Sequence, residues 1–203
     1  MSSWPDAVAF GEVWARAVSG SPDAPFLTFE GPDGSVTDWT YATFDALVSR
    51  AAGLLRSHGV RPGSAIHLAL TNSPAFVALW LATMRLGAWV VPSDPMGRTP
   101  ELAGHVERTH PVVGFCSVSR AAEYRAAAGG RMAVVEVDEA DTTLAGFGSA
   151  VIDDWPVVGL LDRAAVMFTS GTTGKPKGVE ITQANYAFAG LVMAEAADLR
   201  CEH

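Results

Sequence analysis

Ten consecutive residues concentrate the chemistry of this chain. Thr169-Ser170-Gly171-Thr172-Thr173-Gly174-Lys175-Pro176-Lys177-Gly178 offers four hydroxyls, three glycines and two ammonium groups. The run follows Ala164-Ala165-Val166-Met167-Phe168, an apolar stretch that reads as a buried strand. Each component suits a polyphosphate. Glycine lets backbone N–H groups approach phosphate oxygens and form an anion-binding nest. Hydroxyls donate to the remaining oxygens, and one can take a place on a magnesium ion. Pro176 removes a donor and stiffens the loop between the lysines. Those are the only two lysines in 203 residues, against 12 arginines. A compact ammonium and a planar guanidinium recognise phosphate differently, so lysine persists where arginine does not substitute.

The run is not a Walker A loop. Gly174-Lys175 is followed by proline rather than Ser or Thr, and Thr169 stands where the first glycine belongs. Other constellations fall away. His58, His67, His105, His110 and His203 have no metal-ligand spacing among them. There is no G-x-S-x-G elbow, and Gly146-Phe147-Gly148 lacks the third glycine of a dinucleotide site. Asp153-Asp154, before Trp155-Pro156, reads as a solvated turn. His67, in an apolar strand, reads as a satisfied histidine. Trp4, Phe10 and Trp14 read as core.

The elements that must hold the loop alternate between short β runs and helical runs. Phe26–Phe29 and Val36–Trp39 flank Gly31-Pro32-Asp33-Gly34, as in a hairpin. Thr40 caps a helix whose apolar face is Phe44, Leu47, Val48, Ala51, Leu54 and Leu55, and Gly59 ends it. A strand at 65–70 precedes Asn72-Ser73-Pro74, a cap with proline at the first helical position. The helix from Ala75 to Leu86 is apolar nearly all round, which predicts burial on several sides. Strands at 89–92, 112–117 and 132–137 alternate with helices from Thr99 and over 119–128. The stretch 138–162 is poorly periodic and reads as surface loop or short helix. Gly178–Thr182 reads as a short extended segment, and Gln183–Leu199 as a last helix. Strands spaced by helices predict an α/β fold: a largely parallel sheet, helices on both faces, ligands beyond the carboxyl ends of the strands.

Composition bounds the function. Twenty-two Asp+Glu against 14 Lys+Arg give a net charge of −8, which disfavours a nucleic-acid partner. Two cysteines, Cys116 and Cys201, exclude a disulfide scaffold and suit a reduced cytoplasmic compartment. No signal peptide is visible at the N-terminus. The longest apolar stretch, Ala75 to Met84, is ten residues, and a membrane span needs about 20.

Phe168 to Val179 resembles the phosphate-loop signature of the adenylate-forming enzymes: acyl- and aryl-CoA synthetases, peptide-synthetase adenylation domains and luciferases. Asn72 to Trp80, then Arg85-Leu86-Gly87-Ala88 and Val91-Pro92, resembles their upstream helix-and-strand motif. Trp39-Thr40-Tyr41-Ala42 fits their opening. Tyr186-Ala187-Phe188-Ala189-Gly190 looks most like the carnitine- or crotonobetaine-CoA ligase branch. The resemblance implies the N-terminal part of the large domain of such an enzyme. It also implies a two-step ligation: ATP and a carboxylic acid, with magnesium, give an acyl-adenylate, and coenzyme A takes the acyl group. By the same resemblance, Thr169, Ser170, Gly171, Thr172, Thr173, Gly174, Lys175 and Lys177 hold the β- and γ-phosphates, with Thr169 on the magnesium ion.

Two departures qualify it. Where the family usually has Thr-His-x-Asn, this chain has Thr182-Gln183-Ala184-Asn185. Glutamine donates a hydrogen bond but does not titrate near neutrality, so no role for that histidine carries over. The chain is also less than half a family member's length and lacks the downstream aromatic, Thr-Glu and ribose-binding Asp motifs and the C-terminal domain with its lysine. The expectation is a fragment, inactive alone, that associates with itself or with the rest of its polypeptide. An adenylation enzyme loading a carrier protein, a binding module without chemistry and an unusual phosphotransferase stay open as alternatives.

Overall fold

Local signals set most boundaries in the structure, a computed structural model that describes residues 8–169 and 177–199. Helix α1 (Phe10–Gly20) leads into a hairpin of β1 (Pro25–Glu30) and β2 (Val36–Thr40) around the Gly/Pro/Asp turn. Thr40 and Thr43 form a reciprocal capping box at the start of α2 (Tyr41–Ser57), and Gly59 ends it at φ +84°. After β3 (Ala65–Ala69), the Ser73 side chain caps α3 (Pro74–Arg85) with Pro74 in its first turn. The chain continues through β4 (Trp89–Pro92), α4 (Thr99–Thr109), β5 (Val113–Ser117), α5 (Ala121–Ala128) and β6 (Ala133–Val137). It closes with β7 (Arg163–Thr169), β8 (Lys177–Thr182) and α6 (Gln183–Ala196). Trp4, Cys201 and His203 lie outside the described residues.

The main sheet has the order β6-β5-β3-β4-β7-β8. All its pairings are parallel except the last, β7 with β8. From β3 the chain steps to β4, then reverses across β3 to reach β5 and β6. Right-handed crossovers place helices on opposite faces when the winding direction reverses. Accordingly α1, α2 and α3 pack together on one face, and α4 with α5 on the other. Ile66, Leu68, Val90, Val113 and Phe115 point into the first layer. The alternate positions, among them Ala69 and Cys116, point into the second. The expected α/β architecture is therefore present.

The extended segment expected at Gly178–Thr182 is present, as a six-residue strand that starts at Lys177 and runs antiparallel to β7. The seven residues between β7 and β8 are too few for a parallel crossover, which takes a dozen or more. One expectation needs correction. The stretch 138–162 is not simply surface. Leu144 and Phe147 are buried in the core around a single 3₁₀ turn. The Arg50 guanidinium donates to the carbonyls of Thr143, Leu144 and Gly148 and holds that turn on α2. One such turn leaves no periodicity to read. Asp154 is exposed, as a solvated turn should be, and pairs with Arg56 at 2.6 Å.

Helix α6 is apolar on most sides, yet Phe188, Leu191, Met193 and the following Leu199 are exposed. No helix among the described residues is long and apolar enough to cross a membrane.

Candidate phosphate-binding site

Strand β7 emerges from the core. Ala164 and Ala165 are fully buried against the neighbouring strands, whereas Met167 and Thr169 are exposed. The strand pairs in parallel with β4 at Val90 and Ala165, and its last residues run on from that contact toward the carboxyl ends of the parallel strands, the edge at which such sheets bind ligands. The β7–β8 register sets Phe168 opposite Gly178 and Thr169 opposite Lys177. Of the eight sequence-predicted residues, the structure thus brings Thr169 and Lys177 together at the root of one hairpin, both exposed. Ser170, Gly171, Thr172, Thr173, Gly174 and Lys175 lie outside the described residues.

The root is tightly built. A Cβ at Gly178 would lie 3.0 Å from Val166 Cγ1 and 3.4 Å from Phe168 Cε1, so glycine lets the two strands close around the Phe168 ring. The His105 ring of α4 stacks on Phe168, centroids 4.0 Å apart and planes 8° apart. The Arg108 guanidinium, one turn further along α4, sits 4.7 Å from the same ring. No group of three or more His, Cys, Asp or Glu able to hold a metal exists among the described residues. A magnesium ion that arrives with phosphate oxygens and waters needs only one or two protein oxygens, which a single Thr169 hydroxyl fits.

Beneath this root runs a buried polar chain. Tyr124 Oη lies 2.5 Å from His67 Nδ1, His67 Nε2 lies 2.9 Å from Ser93 Oγ, and Ser93 Oγ lies 2.8 Å from His105 Nδ1. His67 is satisfied at both ring nitrogens, as its sequence context implied. Its two partners, and His105 beyond Ser93, were not legible. Small Ala65 and Ala69 beside it on the strand, and Leu102 and Val106 around His105, were the available signals. Burial first, then the neighbouring His105, pushes the His67 pKa down to about 3. Burial likewise lowers His105.

A depressed histidine has a defined linkage. Between about 3 and the ordinary 6.5, the unfolded chain binds a proton that native His67 does not. Its stabilisation is therefore complete above pH 6.5 and declines as pH falls toward 3. We expect a loss of about 2 kcal/mol from this group between pH 7 and pH 5. Urea unfolding at the two pH values measures it, and His67→Gln should flatten the dependence. Equal midpoints for the unmodified chain would refute the neutral, buried assignment.

Gln183 answers the first departure. It is fully buried at the start of α6. Its Oε1 accepts from Gly11 N–H at 3.3 Å, and its Nε2 donates to the Met84 carbonyl at 3.2 Å. Gly11 belongs to the first turn of α1, which has no side-chain cap, and Met84 to the last turn of α3. One amide thus satisfies the uncapped Gly11 N–H at one helix end and adds a second donor to the Met84 carbonyl, which also accepts from Gly87 N–H, at the other. A Cβ at Gly11 would lie 3.0 Å from the Met84 carbonyl oxygen, so those ends are already close. The position is structural. Gln183→Ala is expected to cost about 2–4 kcal/mol by stranding the Gly11 N–H and leaving a void. Chemical denaturation checks this, and a change under 0.5 kcal/mol, roughly a neutral surface substitution, contradicts it.

A reversing, mostly parallel sheet with the Thr169/Lys177 strand pair at one end defines an α/β domain. Comparison specifies it further: the chain matches the AMP-binding enzyme model over residues 14–201 and belongs to that family. A crotonobetaine/carnitine–CoA ligase from Salmonella paratyphi A is 30% identical over 202 residues, covering 93% of this chain and 39% of that protein. The chain therefore spans well under half of this curated relative. A fatty acyl CoA synthetase from Mycobacterium tuberculosis superposes with a TM-score of 0.71 at 25% identity, over 86% of this chain and 34% of that one. ATP-bound MatB from Rhodopseudomonas palustris gives 0.72 at 25% identity, over 93% of this chain and 38% of that one. Two of these relatives are named as a CoA ligase and an acyl-CoA synthetase and the third is an ATP-bound structure, in line with the acyl-CoA synthetase resemblance.

Proposed function

We propose that the protein carrying this chain is a cytoplasmic, AMP-forming carboxylate–CoA ligase. In this reading residues 1–203 are the N-terminal portion of its large domain, with a phosphate-binding loop at 169–178. A carboxylate oxygen attacks the α-phosphorus of ATP and pyrophosphate leaves. The thiol of coenzyme A then attacks the acyl carbonyl and AMP leaves. The observation that carries the reading is the placement of Thr169 and Lys177, exposed and opposite each other where β7 and β8 diverge.

The chain's contribution lies in the first step. Leaving pyrophosphate gains negative charge on its oxygens. Lys175, Lys177 and the hydroxyls of Thr169, Ser170, Thr172 and Thr173 supply positive charge and donors to those oxygens, and Gly171 and Gly174 let backbone N–H groups approach them. Such contacts strengthen as the bond breaks, so they act on the chemical step more than on carboxylate binding. Thr169 would hold magnesium, which would neutralise charge on the phosphate oxygens.

The test is ATP–pyrophosphate exchange by the full-length protein across a panel of aliphatic, aromatic and betaine-type acids, followed by coenzyme A or a carrier-protein thiol as acceptor. Acid-dependent exchange with thioester formation on coenzyme A is expected. Transfer only to a carrier protein would move the protein to the adenylation-domain class. No exchange with any acid would reject the reading.

A further inference from the structure

The Tyr124–His67–Ser93–His105 chain ends directly under the phosphate-loop root, and its hydrogens can be ordered. Tyr124 has one phenolic proton, and it has two acceptors within reach: His67 Nδ1 at 2.5 Å and the His67 carbonyl at 3.4 Å. The nearer nitrogen takes it. Neutral His67 then carries its proton on Nε2 and donates to Ser93 Oγ. The Ser93 hydroxyl, now an acceptor, gives its own proton to His105 Nδ1. His105 is left as the Nε2–H tautomer. That nitrogen is buried and has no hydrogen-bond partner among the described residues. One hydrogen bond from Ser93 and the face-to-face contact with Phe168 therefore orient the His105 ring.

An unmade hydrogen bond at a buried nitrogen costs about 1–3 kcal/mol. The contact made instead is to Phe168, the residue immediately before Thr169 and directly across from Gly178. Gly114 on β5 supports the other end of the chain. A Cβ there would lie 2.4 Å from Tyr124 Oη, so glycine admits the phenol to His67.

We propose that His105 is a positioning residue for the phosphate loop: the Tyr124–His67–Ser93 chain fixes its ring, and the ring is the platform that holds Phe168 and so the Thr169/Lys177 hairpin root in place. This rests on the proposed ligase reading, because a positioned root matters only if the loop acts on phosphates. The proposal separates the platform (the ring) from the element that aims it (the hydrogen-bonded chain).

Three variants of the full-length protein test it: His105→Ala, His105→Phe and Ser93→Ala. Two readouts are taken on each, amide hydrogen exchange at Thr169 and Gly178 without substrate, and the split between kcat and carboxylate KM in pyrophosphate exchange. His105→Ala should raise exchange at both amides at least tenfold and lower kcat at least tenfold, with carboxylate KM within twofold. His105→Phe restores a flat ring and should recover most of both effects. Ser93→Ala should raise amide exchange by an intermediate amount. A His105→Ala variant that loses global stability while the two amides keep their exchange relative to the rest of β7, and kcat per folded molecule is unchanged, overturns the proposal. So does a folded His105→Phe variant that recovers nothing. If His105→Ala does not fold, unchanged amide exchange in Ser93→Ala overturns it and raised exchange supports it. Absence of pyrophosphate exchange in the unmodified protein would reject the ligase reading alone, because the amide readout does not depend on it.

Discussion

Replacing Lys177 by alanine in the full-length protein is expected, on the proposed ligase reading, to slow carboxylate-dependent pyrophosphate exchange by about 10²–10³-fold, the usual loss when one preorganised stabiliser of transition-state charge is removed. Lys177 is the first residue of β8 and sits across from Thr169, so its backbone is held by the strand pair while its side chain is exposed. No ion pair among the described residues uses it. An ammonium in that setting is available to an incoming anion. The loss should fall on kcat, with carboxylate KM within a few-fold, because the charge it meets grows as pyrophosphate leaves. Lys177→Arg keeps the charge but replaces a compact ammonium by a broad fork, so it should recover activity only in part. Thr172→Ala should act in the same direction by removing one donor. Wild-type exchange rates in Lys177→Ala would remove this lysine from the site.

The second large effect is a complete one. The 203-residue chain, produced by itself, should form no acyl-adenylate with any carboxylic acid. Charge stabilisation at the phosphates is one contribution among several. Holding adenine and ribose and aligning the carboxylate supply more, since orientation alone can account for about 7–11 kcal/mol of a barrier. The chain covers 39% of its ligase relative, and we assign those tasks to the remainder. Physical behaviour should follow. Met193 and Leu199, at 68% and 63% exposure, lie on or just beyond a helix with no polar face. Such apolar area drives association, so the isolated chain should scatter light as more than a monomer. Robust exchange by a clean monomer would show that these 203 residues suffice.

How much of this was legible in residues alone depends on the distance over which each feature is decided. The caps at Thr40 and Ser73 involve groups three residues apart, and the structure has both. The β1–β2 turn and the glycine stops at Gly59 and Gly87 are equally local. Apolar periodicity within single helices and strands, which predicts the α/β alternation, extends over a dozen residues. The phosphate-loop signature is a contiguous string, and its family reading follows from residue order.

The tertiary structure decided whatever joins residues remote in the chain. Gln183 looked like a lost titratable group, and only its contacts with Gly11 and Met84, 172 and 99 positions away, make it a tie between helix ends. His67 meets Tyr124 across 57 positions and Ser93 across 26, so four unremarkable side chains become one ordered chain under Phe168. Leu144 and Phe147 enter the core through a segment without period, held by Arg50 from more than 90 positions away. Amino-acid type and spacing determine local backbone preference, because capping, φ restriction and amphipathic period act within a few residues. Which polar groups share a buried space is settled only when sheet order and helix packing bring them together. There each group finds a partner or, like His105 Nε2, is left without one among the described residues.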